Sequence, residues 1–357
     1  MNTIVKLDKV SKKFGDKTII DNVSLDIYEG EFITLLGPSG CGKTTILRMI
    51  SGLESVTSGK VYIDNEDVTN VDATKRNVNT IFQNFALFPH MSVWDNINFG
   101  LKMHKVEGSE AENRIKNAIK LVKLEGFENR KPSELSGGQQ QRVAIARGIV
   151  MNHKVLLLDE SLASLDLKLK REMQIELKKI QKKLGMAFIY VTHDQDEALT
   201  MSDRIAIINN GKIEQLGTPK EIYRSPVTTF VADFIGESNI LNGVIKENKN
   251  GIAIISIDDF SLKAKTEYKK KTNVTVIMRP EVINISKRRS LNSLTGKIVD
   301  YIYDGSTIKL VVELENKNKT QVKVNLFYAD NFNLGDKVYL SIDDDKLILI
   351  GDENEKK

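Results

Sequence analysis

The sequence predicts an α/β domain on a mainly parallel sheet, carrying a helical insertion and followed by a small all-β domain of barrel type. Three observations carry this. Up to about Gly236, short apolar runs alternate with helical segments and Gly-rich turns, the pattern of strands buried under helices. Between Leu87 and Met151 the chain turns helical and charged, interrupted by Pro132 and by Gly137-Gly138. Beyond Asn239 apolar and polar residues alternate, with Asn-, Gly- and Lys-rich turns at short spacing, as in a small barrel.

Taken in order, the clearest strands of the first part are Glu31–Leu36, Val155–Asp159, Ala187–Thr192 and Arg204–Ile208, and Asn209-Asn210-Gly211 is a hairpin turn signal. From Thr218-Pro219 helical stretches lead to Glu237-Ser238-Asn239, after which Ile252–Ile257, Val274–Met278, Ile308–Val312 and Val338–Ile342 read as strands. The expected domains are therefore 1–238, with a helical subdomain at about 87–151, and 239–357. The charged tail Asp352–Lys357 is expected to fray. A chain of 357 residues has room for two or three domains at about 150 residues each.

Composition limits the function classes. With 41% hydrophobic and 28% charged residues, disordered and fibrous classes are excluded. The balance of 52 Lys+Arg against 48 Asp+Glu leaves +4, which suits a nucleic-acid, membrane-surface or complex-bound protein alike. One cysteine excludes an intramolecular disulfide and fits a reducing cytosol. No apolar run approaches the ~20 residues that span a bilayer, and Met1–Asp8 holds no apolar stretch of signal-peptide length.

The chemistry begins at Gly37-Pro38-Ser39-Gly40-Cys41-Gly42-Lys43-Thr44, which fits G-x-x-x-x-G-K-[ST] between the apolar run Phe32–Leu36 and the helical run Thr45–Leu53. Glycines let the backbone wrap closely, so successive N–H groups and the helix N-terminus face phosphates. Lys43 reaches the terminal phosphates and the Thr44 hydroxyl binds Mg²⁺. Cys41, at a helix start, has either a lowered thiol pKa or the plain role of a small residue, and the second reading is favoured. In Val155-Leu-Leu-Leu-Asp159-Glu160 a buried strand delivers Asp159 to the Mg²⁺ shell, while Glu160 orients and polarises the attacking water. Together these motifs point to hydrolysis of a nucleotide.

Leu135-Ser136-Gly137-Gly138-Gln139-Gln140-Gln141-Arg142 opens a second helical run, making a second anion-binding N-terminus. Standing alone it would be a helix cap. Beside the first motif it points to two chains arranged head to tail, each giving Ser136-Gly137-Gly138 to the other's phosphates.

On these residues the sequence, from about Thr3 to Asn239, resembles the ATP-binding cassette family. The resemblance implies a P-loop NTPase cassette with a helical insertion, binding ATP and Mg²⁺. It also implies that Phe14 stacks on adenine, although a packing aromatic at a turn would look the same. Gln83, in Ile81-Phe82-Gln83-Asn84, would touch Mg²⁺ and the water and sense a transmembrane partner. Ser136 to Gln141 would be the signature motif, with Gly138 and Gln139 in the phosphate contact. The amides of Gly40 to Thr45 would hold phosphate, Ser161–Asp166 would meet the opposite subunit, and His193 would contact the terminal phosphate. His104 and His153 carry no such context and are expected on the surface. Phe85, Phe88 and Pro89 are either core or an apolar groove for a partner helix, and Trp94 is expected to pack. The pattern is broken where Ser161 replaces a proline and where Ala163-Ser164-Leu165-Asp166 replaces Ser-Ala-Leu-Asp; Gly148 and His153 also stand where Ala and Pro are common.

Met278-Arg279-Pro280-Glu281 resembles the Arg-Pro-Glu element in the OB-like regulatory barrel of importer ATPases. Within that group, Arg76–Met91, Asp166–Lys170 and Asp233–Asn239 look most like polyamine importer ATPases, and sugar, iron and sulfate importers share much of this. The resemblance implies an ATPase at the cytoplasmic face of the membrane, peripheral to it. Its partners would be a second copy, two permease subunits and, indirectly, an external substrate-binding protein. Nucleic acid is not an expected partner.

Overall fold

The computed structural model describes residues 2–160, 162, 166–258, 260–290, 292–305 and 307–351. Its contacts divide the chain into two compact units, Met1–Ile222 and Tyr223–Lys357.

The first unit is organised by a six-stranded sheet in the order Lys212–Gly217, Arg204–Asn209, Phe32–Leu36, Ala187–Thr192, Val155–Asp159 and Val78–Ile81. All neighbours are parallel except the hairpin pair Arg204–Asn209 and Lys212–Gly217. The central strands read as unbroken apolar runs because both faces are covered. Phe32, Leu156, Leu158, Phe188 and Tyr190 pack towards the helical part. Their alternates Ile33, Leu35, Val155, Leu157, Ile189 and Val191 pack on the other face with Ile46, Leu47 and Ile50 of the helix Lys43–Ser51. That second core is closed by a four-stranded antiparallel sheet, in the order Lys17–Tyr28, Thr3–Phe14, Ser58–Ile63 and Glu66–Asp67, which the sequence reading did not foresee.

The 87–151 segment holds the helices Val93–Met103, Gly108–Leu121 and Gly137–Ile149. Their apolar faces (Val93, Ile97, Leu101, Ile115, Ile119, Val143) share the core that covers Phe188 and Tyr190. Trp94 packs against it, as expected. Phe85 is also core, 6% exposed, which removes it from any groove, whereas Pro89 and Phe82 are exposed. His104 is exposed, but His153 is half-buried, and burial pulls its imidazole below the ordinary value. Gly148 lets its helix approach the sheet: a Cβ there would lie 2.9 Å from Leu156 Cδ1. Among the described residues no helix is long and apolar enough to cross a membrane.

The second unit carries two five-stranded antiparallel sheets. One runs Phe260–Lys265, Ile252–Ile257, Asn239–Lys249, Asn273–Met278, Ile348–Gly351; the other runs Asn284–Ser286, Lys337–Ser341, Ser293–Asp304, Thr307–Leu314, Lys319–Asn325. Leu241, Ile245, Ile255 and Val276 of the first meet Leu294, Leu310, Val322 and Leu340 of the second in one core, the build of an OB-like barrel. The unit begins before the expected boundary at 238. Arg279, 2% exposed, gathers the preceding segment: its Nη1 donates to Ala232 O at 2.8 Å, Gly236 O at 3.1 Å, Glu237 O at 3.2 Å and Ser238 Oγ at 2.6 Å. Its guanidinium also stacks 4.5 Å from the Tyr223 ring centroid.

Candidate active site

The phosphate loop leaves the end of the strand Phe32–Leu36 and enters the helix Lys43–Ser51, so the first-turn N–H groups of Lys43, Thr44 and Thr45 have no intrahelical acceptor. Two glycines are required by space. A Cβ on Gly37 would lie 2.2 Å from Ile208 O, and one on Gly42, at φ 107°, would lie 2.4 Å from Ile20 Cδ1. Ser39 and Gly40 form the exposed tip, Pro38 is half-buried, and Gly37, Cys41 and Gly42 are buried. Burial pushes the Cys41 thiol up, against the pull of Lys43, so the option of a lowered thiol pKa falls and the plain small residue remains.

Lys43, 4% exposed, donates from Nζ to Gly37 O and Pro38 O, both at 2.8 Å. Its ammonium is thus folded into the loop that would take the phosphates. Thr44 Oγ1 donates to Asp159 Oδ1 at 3.0 Å. Burial and the neighbouring charge of Glu160 push the Asp159 carboxyl up, against the Thr44 hydrogen bond.

Glu160 follows at the strand end with φ 44°, a left-handed conformation that costs a non-glycine residue about 1–2 kcal/mol. Its N–H donates to Val191 O at 3.0 Å, which ties this turn to the neighbouring strand. The result is a carboxylate held between two partners. Gln83 Nε2 donates to Glu160 Oε2 at 3.4 Å, and His193 Nδ1 lies 3.1 Å from Glu160 Oε1. Gln83, Glu160 and His193 come from three separate strand ends of the sheet, all on the side where Thr44 and Asp159 meet.

The other expected site residues are held elsewhere. Ser136 caps the helix Gly137–Ile149, accepting from Gln139 N at 3.4 Å while its own N–H donates to Gln139 Oε1 at 2.9 Å. Gly137 is exposed and Gly138 buried. Among the described residues this turn shares no hydrogen bond with the phosphate loop. Phe14 ends its strand half-exposed, with Lys12 Nζ 4.8 Å from its ring centroid. Asp166 is exposed and caps the helix Leu167–Leu184, accepting from Leu169 N at 3.1 Å. Ser161 and Ala163-Ser164-Leu165, where the sequence breaks the family pattern, lie outside the described residues, as does the tail Asp352–Lys357.

Two positions not foreseen in the sequence bear on this geometry. Arg147 donates from Nη1 to Ala86 O and from Nη2 to Phe85 O, both at 2.7 Å. These two residues have φ 46° and 58°, so the guanidinium fastens a left-handed turn that starts two residues after Gln83. Lys170 lies behind His193, within an ionic cluster with Asp194 and Glu197.

The comparisons with known proteins agree with this geometry. The ABC transporter family profile matches residues 20–163 and the TOBE domain profile residues 276–350. The spermidine/putrescine import ATP-binding protein PotA of Vibrio vulnificus (strain YJ016) is 47% identical over 99% of this chain and 96% of its own. Among solved structures, cbiO1 from Clostridium perfringens, part of the ABC transporter complex cbiONQ, is 30% identical with a TM-score of 0.58, covering 62% of this chain and 91% of that one. The ATP-binding cassette MJ0796, in a dimeric post-hydrolysis state with ADP and Pi, is 36% identical with a TM-score of 0.53, covering 60% and 99%. The chain therefore belongs to the ABC transporter family, as one of its ATP-binding proteins.

Proposed function

We propose that the chain is the ATP-hydrolysing subunit of an importer for polyamines such as spermidine and putrescine. The observation that carries the enzymatic part is the Glu160 carboxylate held between Gln83 and His193, beside the Thr44–Asp159 pair. The cargo rests on relatives whose names give spermidine/putrescine import, at 44–47% identity over almost the whole chain.

In this reading phosphate charge enters the loop Gly37–Thr45, and Lys43 turns from the two carbonyls to the terminal phosphates. Glu160 accepts a proton from water as the water oxygen bonds to the terminal phosphorus. The phosphorus–oxygen bond to ADP breaks, and ADP and phosphate leave. His193 steadies both the carboxylate and the terminal phosphate, and Gln83 orients the water. Phe14 supplies an exposed ring for adenine.

The site also suits Mg²⁺. Thr44 and Asp159 present hard oxygen donors 3.0 Å apart, and a dication would relieve the two neighbouring carboxylates. Among the described residues no cluster of three or more His, Cys, Asp or Glu forms a metal cage, which fits an ion held jointly with phosphates. Thr44 and Asp159, with Gln83 nearby, would hold Mg²⁺ there, and the ion would supply charge neutralisation for the transferred phosphoryl group.

Ser136, Gly137, Gly138 and Gln139 present a capped helix N-terminus that, among the described residues, shares no hydrogen bond with the chain's own phosphate loop; a second copy placed head to tail brings it to the opposite nucleotide, with Asp166 at the shared face. Two permease subunits dock near Gln83 and the exposed Phe82 and Pro89, at the cytoplasmic face of the membrane, and an external binding protein delivers the cargo. The cassette, with its helical part at 87–151, lies within residues 1–238, whose last stretch, 223–238, packs with the regulatory barrel of 239–357.

Uptake of labelled spermidine, putrescine and a sugar, in cells with and without the gene for this chain, tests the reading. Loss of polyamine uptake alone supports it. Loss of sugar uptake with polyamine uptake intact overturns the cargo.

A further inference from the structure

Behind His193 lies a partly buried ionic cluster that the hydrolytic reading does not use. Glu197, its side chain 2% exposed, accepts on Oε2 from Tyr190 Oη at 2.6 Å and from Thr192 Oγ1 at 2.5 Å. Its other oxygen takes Lys170 Nζ at 2.8 Å. A carboxylate so far from water needs a counter-charge, and among the described residues the Lys170–Glu197 contact supplies it. Yet the same ammonium also reaches Asp194 Oδ2 at 2.6 Å.

That second contact places the cluster around His193. Asp194 N donates to Thr192 Oγ1 at 3.0 Å, and Asp194 Oδ1 accepts from Glu197 N at 3.2 Å. Both chain neighbours of His193 are therefore pinned, one by Glu197 and one by Lys170. Lys170 itself belongs to the helix that Asp166 caps, and its N–H donates to Asp166 O at 2.8 Å. The ammonium thus bridges the helix led by Asp166 to the turn that aims the imidazole at Glu160.

We propose that Lys170 is a positioning residue for His193, transmitting the position of the Asp166-capped helix to the His193–Glu160 pair. This rests on the reading of Glu160 and His193 as the hydrolytic pair. When a second copy bears on the Asp166 end, the helix carries Asp194 with it, and the His193 ring moves against the Glu160 carboxylate. The Lys170 ammonium is committed to Asp194 and Glu197, so its removal is expected to leave ATP binding in place and impair the chemical step.

The test uses the full chain as Lys170→Met, Lys170→Arg, Lys170→Met/Glu197→Gln and Glu160→Gln. ATP turnover is measured per nucleotide-binding site, together with KM and Tm. The expected result for Lys170→Met is a fall in kcat of about tenfold or more with KM for ATP within about twofold. Lys170→Arg, which keeps a charge able to span both carboxylates, restores about half of kcat or more. The double variant, which removes the buried charge along with its partner, recovers the parent's Tm but not its kcat; it decides the matter if Lys170→Met alone does not fold.

A Lys170→Met kcat per site within about twofold of the parent overturns the proposal. So does a double variant that regains kcat along with Tm, because Lys170 would then only neutralise Glu197. Glu160→Gln separates the two levels. If it turns over like the parent, the reading of the site fails and takes the proposal with it. If it is inactive while Lys170→Met is not, the proposal alone fails.

Discussion

Lys43→Ala separates nucleotide binding from folding, and its effect can be worked through from the site. Lys43 is 4% exposed, and its ammonium is bonded to the carbonyls of Gly37 and Pro38. Truncation takes from those carbonyls two charge-assisted hydrogen bonds of about 1.5–3 kcal/mol each. It also removes a buried charge whose desolvation costs several kcal/mol. The two nearly offset, so the stability of the nucleotide-free protein changes by about 2 kcal/mol at most in either direction. With nucleotide bound, the contact of the ammonium with phosphate is lost as well. A unit charge about 4 Å from phosphate at an effective dielectric of about 20 is worth about 4 kcal/mol. Part of that is already spent on leaving the carbonyls, and a net loss of about 2.7 kcal/mol raises Kd about a hundredfold.

At a ligand concentration of about 100 times the parent's Kd, the parent gains about 2.7 kcal/mol from binding and the variant about 0.4 kcal/mol. For a unit the size of Met1–Ile222, each kcal/mol moves the transition by about 2–4 °C. Thermal unfolding with a non-hydrolysable ATP analogue and Mg²⁺ should therefore raise Tm by about 5–11 °C in the parent and about 1–2 °C in Lys43→Ala. A variant that keeps the parent's shift would refute the assignment of Lys43 to the phosphates.

Two further outcomes follow from the same geometry. The Asp159 carboxyl is pushed up by burial and by Glu160, so its proton favours the folded state, and that contribution is lost as pH rises through the raised pKa. Asp159→Asn should thus match or exceed the parent's nucleotide-free Tm at neutral pH, lose that advantage in acid, and lose the Mg²⁺-dependent part of the shift with ATP. A neutral-pH Tm well below the parent's would contradict this. Arg279→Ala should cost the second unit about 3 kcal/mol or more, since several carbonyls lose a charged donor. Limited proteolysis should then cut within residues 223–238; an unchanged digestion pattern would count against the role given to Arg279.

Much of this was legible in the sequence for a physical reason. The parallel strands are buried on both faces, so Val155–Leu158 and Ala187–Val191 stand out as apolar runs whatever lies around them. The phosphate loop is legible because its glycines answer to local sterics, as Gly37 and Gly42 show. The antiparallel sheet was not legible. Register shifts between Leu7 and Val10 and again around Lys12 break the period of two in the strand Thr3–Phe14, and Gly59 interrupts the strand Ser58–Ile63. Nor does any local pattern show that Arg147 grips Phe85 and Ala86, more than sixty residues away in sequence, or that Lys170 reaches Asp194. Phe85 illustrates the same limit, because an apolar residue after Gln83 suits a groove and a core equally until its neighbours are known.

The central claim is that Glu160 activates the water that cleaves ATP. It is tested most directly by the rate of phosphate release per bound ATP in Glu160→Gln. The substitution preserves shape and leaves Lys43, Thr44 and Asp159 in place. The expected result is ATP bound with near-parental affinity and phosphate release slowed by about 10²–10⁴-fold. Release within about tenfold of the parent, with ATP bound as tightly, would contradict it.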